Sequence, residues 1–310
     1  MSNSSPISAL WKKRRGGCGS VPRQEDTEKA SSLNSDLRRA NHADGLAKTR
    51  DGTRIRFLLH GDDGDDTRRA VLIHSLAMDH TFWLPVIENL DAAVLVCDCR
   101  GHGESDKPRG PSTVGLFAND IADVLDHVGW DSALVAGASM GGCVSLAFAA
   151  ACPARTRALG LIDTTAWYGA QAPKQWAERA EMAAREGMAA LVGFQTTRWF
   201  GDKFRADSPD IVKESVDIFV RNDVKAYVET CKMLGSCDLR AALPALKMPT
   251  AVIVGEEDYA TPVAMAQELH RGIAGSTLKV LPGARHLTPL EQPKTIAAAL
   301  DRLLQAQAVS

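Results

Sequence analysis

Short apolar runs that alternate with helix-length segments constrain the fold of this chain more than any other feature. The runs lie at residues 70–74, 93–97, 133–137, 158–163, 250–255 and 278–281. Runs of this kind are typical of strands that are buried on both faces of a parallel sheet. Helices are predicted between most of them, at residues 79–90, 114–128, 140–151, 264–273 and 293–304. This alternation predicts an α/β fold whose mainly parallel sheet has helices on both faces.

Two further alternating runs precede this pattern and extend the predicted sheet to eight strands. They lie at residues 46–50 and 54–59, and Asp51-Gly52 between them is a strong signal for a two-residue hairpin connection. Residues 1–42 are rich in Ser, Asn, Arg and Gly and show no periodicity, which predicts a flexible tail.

The alternation fails once, between Asp163 and Pro249. Amphipathic segments such as 172–188 and 210–219 predict a helical insertion there. We expect a lid at residues 165–238 over a core made of residues 43–164 and 239–310. The lid carries Trp167, Trp176 and Trp199, and apolar aromatic side chains commonly line small-molecule pockets. We expect at least one of the three to face the pocket, and the alternative is that they only pack the lid on the sheet.

Charge and cysteine content restrict the classes of partner and cofactor. The chain has 310 residues, with 36 Lys and Arg against 38 Asp and Glu, and the resulting charge of -2 gives no electrostatic reason to expect nucleic acid or an anionic membrane as a partner. A small molecule fits better. The seven cysteines are scattered and show no zinc-site spacing, which predicts reduced thiols in a cytoplasmic protein and no metal site.

Two segments share one feature each with a membrane span or a secretory signal, but their other residues argue against both. Residues 132–154 carry no charge, but their Gly and Pro residues favour a buried strand, a turn and a buried helix over a membrane span. The basic residues 12–15 are not followed by the apolar run of a secretory signal.

The motif Gly137-Ala-Ser139-Met-Gly141 carries the strongest chemical signal. It lies where an apolar strand ends and a helix of small residues begins, which is the setting of a nucleophile elbow. A serine in such a turn takes a strained backbone, and glycines two residues away on either side allow the close approach. The motif therefore predicts that Ser139 is a catalytic nucleophile.

A serine nucleophile needs a base and an acid, which follow it in the chain in this type of site. His270 and His286 are the two histidines after Ser139; His270 falls in a predicted helix, whereas His286 lies in a loop just past the last strand. We therefore predict His286 as the base. Two acids compete at strand ends, Asp163 and Asp258, and we prefer Asp258 because it lies on a loop before a helix that begins with Pro.

An attacked carbonyl develops an oxyanion, which requires backbone N–H donors. The residue after the nucleophile supplies one donor, here Met140, and the loop after the first apolar run supplies the other. We predict Leu76 for this second donor. Ser75 beside it is a candidate substrate contact.

Taken together these motifs resemble the α/β-hydrolase fold family over about residues 45–304, and more narrowly the sequence is similar to bacterial 3-oxoadipate enol-lactonases of the β-ketoadipate pathway. The closer resemblance is carried by Ser75-Leu76 with Trp83, Asp98-x-Arg-Gly-His-Gly103, Ser139-Met-Gly-Gly142, Gly187-Met188-Ala189, Arg198-Trp199-Phe200, Asp238-Leu239-Arg240, Gly255-x-x-Asp258-x-Ala-Thr-Pro262 and His286-Leu287 before Glu291.

The resemblance implies an α/β-hydrolase fold with an eight-stranded sheet and a helical lid. It also implies hydrolysis of a five-membered enol-lactone to an oxo-diacid in aromatic compound catabolism, without a metal or organic cofactor. Ser139, His286 and Asp258 would be nucleophile, base and acid. The sequence departs from the family at His74, Ala77 and Asp163, where Asn, Gly and Asn are usual.

Substrate contacts are less constrained than the triad. Arg198 is a candidate for binding a substrate carboxylate, because a guanidinium can donate two parallel hydrogen bonds, although it could instead pair with an acid of the surface. Trp167 and Trp199 are further candidates. A general carboxylesterase, a cofactor-free perhydrolase, a hydrolase of C–C bonds and a non-catalytic ligand-binding receptor remain alternatives, and both monomer and homodimer remain open.

Overall fold

The structure, a computed structural model, describes residues 43–307, so the predicted tail at residues 1–42 lies outside the described residues. These residues form an eight-stranded sheet whose order is β1-β2-β4-β3-β5-β6-β7-β8. The strands are β1 Ala43–Lys48, β2 Arg54–His60, β3 Arg69–Ile73, β4 Ala93–Cys97, β5 Ala133–Ala138, β6 Thr156–Ile162, β7 Thr250–Gly255 and β8 Thr277–Leu281. β2 runs antiparallel to β1 and β4, and the remaining pairs are parallel. The predicted mainly parallel sheet is confirmed.

The first hairpin differs from its prediction. Lys48 pairs with Arg54, so the connection comprises residues 49–53 and the predicted two-residue connection is wrong. The Thr49 N–H donates to the Thr53 carbonyl at 2.9 Å, and the Thr49 hydroxyl donates to Asp51 Oδ1 at 2.7 Å. These side-chain and backbone hydrogen bonds stabilise the longer turn, which contains Asp51-Gly52.

Eleven α-helices accompany the sheet within residues 43–307. They are α1 Leu84–Ile87, α2 Val114–Val128, α3 Met140–Ala151, α4 Ala172–Glu186, α5 Val192–Trp199, α6 Asp202–Asp207, α7 Pro209–Val220, α8 Val224–Gly235, α9 Val263–Gly272, α10 Thr288–Glu291 and α11 Pro293–Gln307. None is both long and apolar enough to cross a bilayer. The helix predicted at 79–90 is shorter, because a 3₁₀ turn at His80–Trp83, capped by Asp79, precedes α1.

Helices α4 to α8 form the segment between β6 and β7. The two ends of the predicted lid meet in an isolated antiparallel bridge between Trp167 and Asp238. The segment lies against the loops that follow the strands: Asn222 donates to the Ala77 carbonyl at 2.8 Å, and the Leu287 N–H donates to the Trp199 carbonyl at 3.0 Å. The helical lid is therefore present over this edge of the sheet, and the exact division at residues 165 and 238 stays a prediction.

Candidate active site

Ser139 lies in the sharp turn that joins β5 to α3. Its backbone has φ 55° and ψ -115°, a strained conformation for a residue with a side chain. Gly137 and Gly141 allow this turn, because a Cβ on Gly137 would lie 2.2 Å from the Gly141 carbonyl and one on Gly141 would lie 2.1 Å from the Ile73 carbonyl oxygen. The turn therefore presents the Ser139 hydroxyl at the carboxyl end of the sheet.

The side chains of Ser139, His286 and Asp258 form one chain of hydrogen bonds. His286 Nε2 lies 2.9 Å from Ser139 Oγ, and His286 Nδ1 lies 2.8 Å from Asp258 Oδ2. A carboxylate accepts the Nδ1–H and leaves Nε2 as the acceptor for the serine hydroxyl. All three side chains are buried. This arrangement can take a proton from Ser139 as it attacks an electrophile.

Asp258 is held in its charged form by several donors. Asp258 Oδ1 accepts the N–H groups of Ala260 at 2.7 Å and Thr261 at 2.9 Å, and the Thr261 hydroxyl donates to Oδ2 at 2.8 Å. Burial alone would raise the pKa of Asp258, but the charge and hydrogen bond of His286 and the Thr261 donors hold that pKa below its usual value. Thr261 was not among the predicted site residues, although it lies in the quoted motif that ends at Pro262.

Asp163, the competing acid, has a different environment. Its Oδ1 accepts the Gly255 N–H at 3.0 Å, and its Oδ2 accepts the N–H of Thr288 at 3.0 Å and the hydroxyl of the same residue at 2.6 Å. Burial, and then the nearby charge of Asp258, raise the pKa of Asp163 well above its usual value. The side chain of Asp163 is fully buried and joins the end of β6 to the end of β7 and to the start of α10.

The residues of the two predicted oxyanion donors lie close to Ser139. The N–H of Met140 lies at the N-terminus of α3, and Leu76 lies in the loop after β3 and lines the pocket beside Ser139. His74 fixes this loop: its Nδ1–H donates to the Ser75 carbonyl at 2.8 Å, and its Nε2 accepts the Cys99 N–H at 2.9 Å. Burial lowers the pKa of His74, which keeps the ring neutral and suits both bonds.

The three residues that differ from those usual in the resembled family all lie near the carboxyl end of the sheet. His74 and Asp163 bind backbone groups of neighbouring loops, as described above. Ala77 has φ 59° and Asp163 has φ 45°, so two of the departures place a side chain in the left-handed region, where Gly and Asn are the favoured residues. Strained backbone at Ala77, Ser139 and Asp163 thus surrounds the candidate site.

A small pocket opens beside Ser139 and His286, between the sheet edge and the lid. Predicted contacts Ser75, Arg198 and Trp199 line it together with Leu76. Trp167 does not line it; its ring lies 3.7 Å from the Arg240 guanidinium at the base of the lid. The sequence analysis did not select five other lining residues as site residues: Tyr168, Trp176, Arg179, Gln195 and Ala260.

Tyr168 lines the pocket from the lid side, close to Ser139. Its hydroxyl lies 3.7 Å from Cys143 Sγ. Burial raises the pKa of Tyr168 well above its usual value, so the phenol stays neutral. Its ring packs edge-on against Trp176, with centroids 5.4 Å apart. The one feature of the sequence that could have indicated Tyr168 as a site residue was its position next to Trp167.

Among residues 43–307, no group of three or more His, Cys, Asp or Glu side chains is placed to hold a metal ion. The cysteines in this range are free thiols.

Comparisons with known proteins agree with this architecture. The sequence family described as "alpha/beta hydrolase fold" matches residues 71–293. 3-Oxoadipate enol-lactonase 2 of Acinetobacter baylyi is 32% identical over 77% of this chain and 90% of its own length. The enol-lactonase structure from Burkholderia xenovorans LB400 superposes with a TM-score of 0.80 at 31% identity, covering 84% of this chain and all of that one. A thermophilic esterase from Thermogutta terrifontis gives 0.78 at 27% identity, covering 86% and 99% of the two chains.

Proposed function

This chain belongs to the α/β-hydrolase fold family, and from that premise we propose that it hydrolyses a small lactone of the 3-oxoadipate enol-lactone type through an acyl-enzyme on Ser139. The observation that carries the proposal is the hydrogen-bond chain from Ser139 through His286 to Asp258, beside a pocket that the lid closes. The similarity to enol-lactonases over most of both chains supports this choice of substrate.

The first half-reaction acylates Ser139. His286 Nε2 accepts the hydroxyl proton as Ser139 Oγ attacks the lactone carbonyl, and Asp258 stabilises the imidazolium that forms. The carbonyl oxygen becomes an oxyanion, and the N–H groups of Leu76 and Met140 donate to it. The ring C–O bond then breaks, and His286 returns its proton to the departing oxygen. The enol that forms tautomerises to a ketone.

The second half-reaction releases the product. His286 takes a proton from water, which attacks the acyl carbonyl, and the Ser139 C–O bond breaks as Oγ is reprotonated. The net change is lactone plus water to an oxo-diacid. Removing one oxyanion donor typically costs about 10² to 10³ in kcat, so each N–H group makes a large contribution, although a smaller one than the triad.

The test is turnover of 3-oxoadipate enol-lactone beside para-nitrophenyl acetate, with wild type and Ser139→Ala. We expect kcat/KM for the lactone to exceed that for the ester, and Ser139→Ala to lower kcat by about 10⁴ or more, because the members of a triad act as a unit. The melting temperature of Ser139→Ala serves as the control for folding.

Two outcomes would change the proposal. Ester cleavage without lactone cleavage would support a general carboxylesterase, the second candidate, which the similarity to the Thermogutta terrifontis esterase favours. Turnover that survives intact in Ser139→Ala would remove the proposed mechanism altogether.

A further inference from the structure

Two arginines of the lid line the pocket that contains Ser139. Arg179 comes from α4 and Arg198 from α5. The two positive charges lie close enough to interact: burial is the main cause of the lowered pKa of Arg198, and the neighbouring charge of Arg179 is the next. Placing like charges together in a partly buried pocket is unfavourable unless something offsets the repulsion.

Most arginines among residues 43–307 form an ion pair with an acid, whereas neither of these two guanidinium groups does. Arg100 pairs with Asp120 and Arg285 pairs with Asp202, for example. Arg198 feels only the more distant charge of Asp258, which acts to raise its pKa. Within residues 43–307, no Asp or Glu forms an ion pair with Arg179 or Arg198. The alternative that Arg198 pairs with a surface acid therefore has no support in the described residues.

The contacts that the two arginines do make fix their positions without neutralising them. Arg179 Nε donates to the Tyr227 hydroxyl at 2.6 Å, and its guanidinium lies 4.9 Å from the Trp176 ring centre. The Arg198 guanidinium lies 4.7 Å from the Phe194 ring centre, and its hydrogen bond to the Tyr259 carbonyl is long, at 3.5 Å. Burial raises the pKa of Tyr227, so it remains a neutral partner.

We propose that Arg179 and Arg198 together form a subsite for a carboxylate of the substrate, so that the protein selects small anionic lactones or esters over neutral ones. A carboxylate between the two guanidinium groups would accept hydrogen bonds from both and offset their mutual repulsion. Because Ser139 lines the same pocket, a substrate whose carboxylate binds this subsite would have its scissile carbonyl in the same cavity. The proposal rests on the proposed hydrolysis at Ser139 and specifies its substrate class.

The test compares two esters of equal acyl length, mono-para-nitrophenyl glutarate, which carries a terminal carboxylate, and para-nitrophenyl valerate, which is neutral. The measured quantity is the ratio of their kcat/KM values. We expect Arg179→Gln and Arg198→Gln each to lower this ratio by about 10-fold to 100-fold, in line with the loss of a hydrogen bond between charged groups. Arg271→Gln, on the exposed face of α9, is the matched control and should retain the wild-type ratio.

A binding measurement separates this proposal from the proposed function. Glutarate should raise the melting temperature of the wild type and of Arg271→Gln, and should raise it less in the two pocket variants. If neither variant lowers the ester ratio or the glutarate shift, the subsite is refuted while hydrolysis at Ser139 stands. If no substrate is turned over but the glutarate shift depends on both arginines, the subsite stands and the proposed reaction fails.

Discussion

The two walls of the pocket, the sheet edge and the lid, are built in different ways. At the sheet edge, the Ser139, Asp258 and His286 side chains are at least nine-tenths buried, and each is placed by backbone at the end of a strand. On the lid wall, Arg179 and Arg198 are half-buried and are held by aromatic rings and one or two hydrogen bonds. In the proposed function, the chemistry would therefore be fixed by the backbone at the strand ends, whereas the selectivity would depend on how lid side chains pack.

The largest expected effect tests the sheet edge by comparing its two buried acids. Asp258→Asn should lower kcat by about 10⁴, because an amide at this position favours the wrong tautomer of the base. Asp163→Asn should lower kcat far less, but should cost about 1–3 kcal/mol of unfolding free energy, because its NH₂ group cannot accept from Gly255 or Thr288.

Ester-hydrolysis kinetics and urea denaturation of both variants measure the two effects. Equal losses of kcat at the two positions would show that the assignment of Asp258 as the acid is wrong.

A smaller effect tests a hydroxyl that lines the pocket from the lid side. Tyr168→Phe removes a hydroxyl from the wall of the pocket that contains Ser139, and we expect kcat to fall by up to about 10-fold, the upper end of the value of one neutral hydrogen bond, with little change in KM. Tyr227→Phe is the matched control, because its hydroxyl binds Arg179 instead. That variant should lower the preference for the anionic ester and spare kcat for the neutral one. The reverse pattern would contradict the division of roles between the two walls.

The smallest effect tests the contact that Glu291 makes between the lid and the sheet edge. Glu291 Oε1 accepts the N–H of Gly201 from the lid and the N–H of Arg285 beside His286, each at 3.1 Å. Burial raises the pKa of Glu291 from 4.5 to about 7. The folded state therefore binds this proton more tightly than the unfolded state does, and the resulting stability is present at low pH and is lost as the pH rises from 4.5 to about 7.

Glu291→Gln has no titrating group at this position, so its stability provides the reference for the pH dependence that Glu291 causes. We expect the melting temperature of the wild type to fall by a few degrees relative to Glu291→Gln between about pH 5 and about pH 8. Melting curves at several pH values measure this difference. A difference that is constant with pH would refute the role given to Glu291.

Sequence reasoning located most strands of the sheet to within a residue or two, because each is a short apolar run with a local signature. It failed where side chains decide the local geometry. Residues 49–53 make a longer turn because Thr49 bonds across it, and the segment at 79–90 breaks into two short helices because Asp79 caps the first of them.

The sequence by itself determined the positions of the nucleophile elbow, the loop histidine and the strand-end acids, since each depends on residues that are neighbours in the chain. The sequence also favoured Asp258 over Asp163, and the tertiary structure adds the contact of Asp258 with His286. Only the tertiary structure turned Trp167 away from the pocket and brought Tyr168 and Arg179 into it. The periodicity of a lid helix shows which face is apolar, but not which distant side chain that face meets. Contacts between residues far apart in the chain depend on how whole elements pack, and a pattern within one element does not encode that packing.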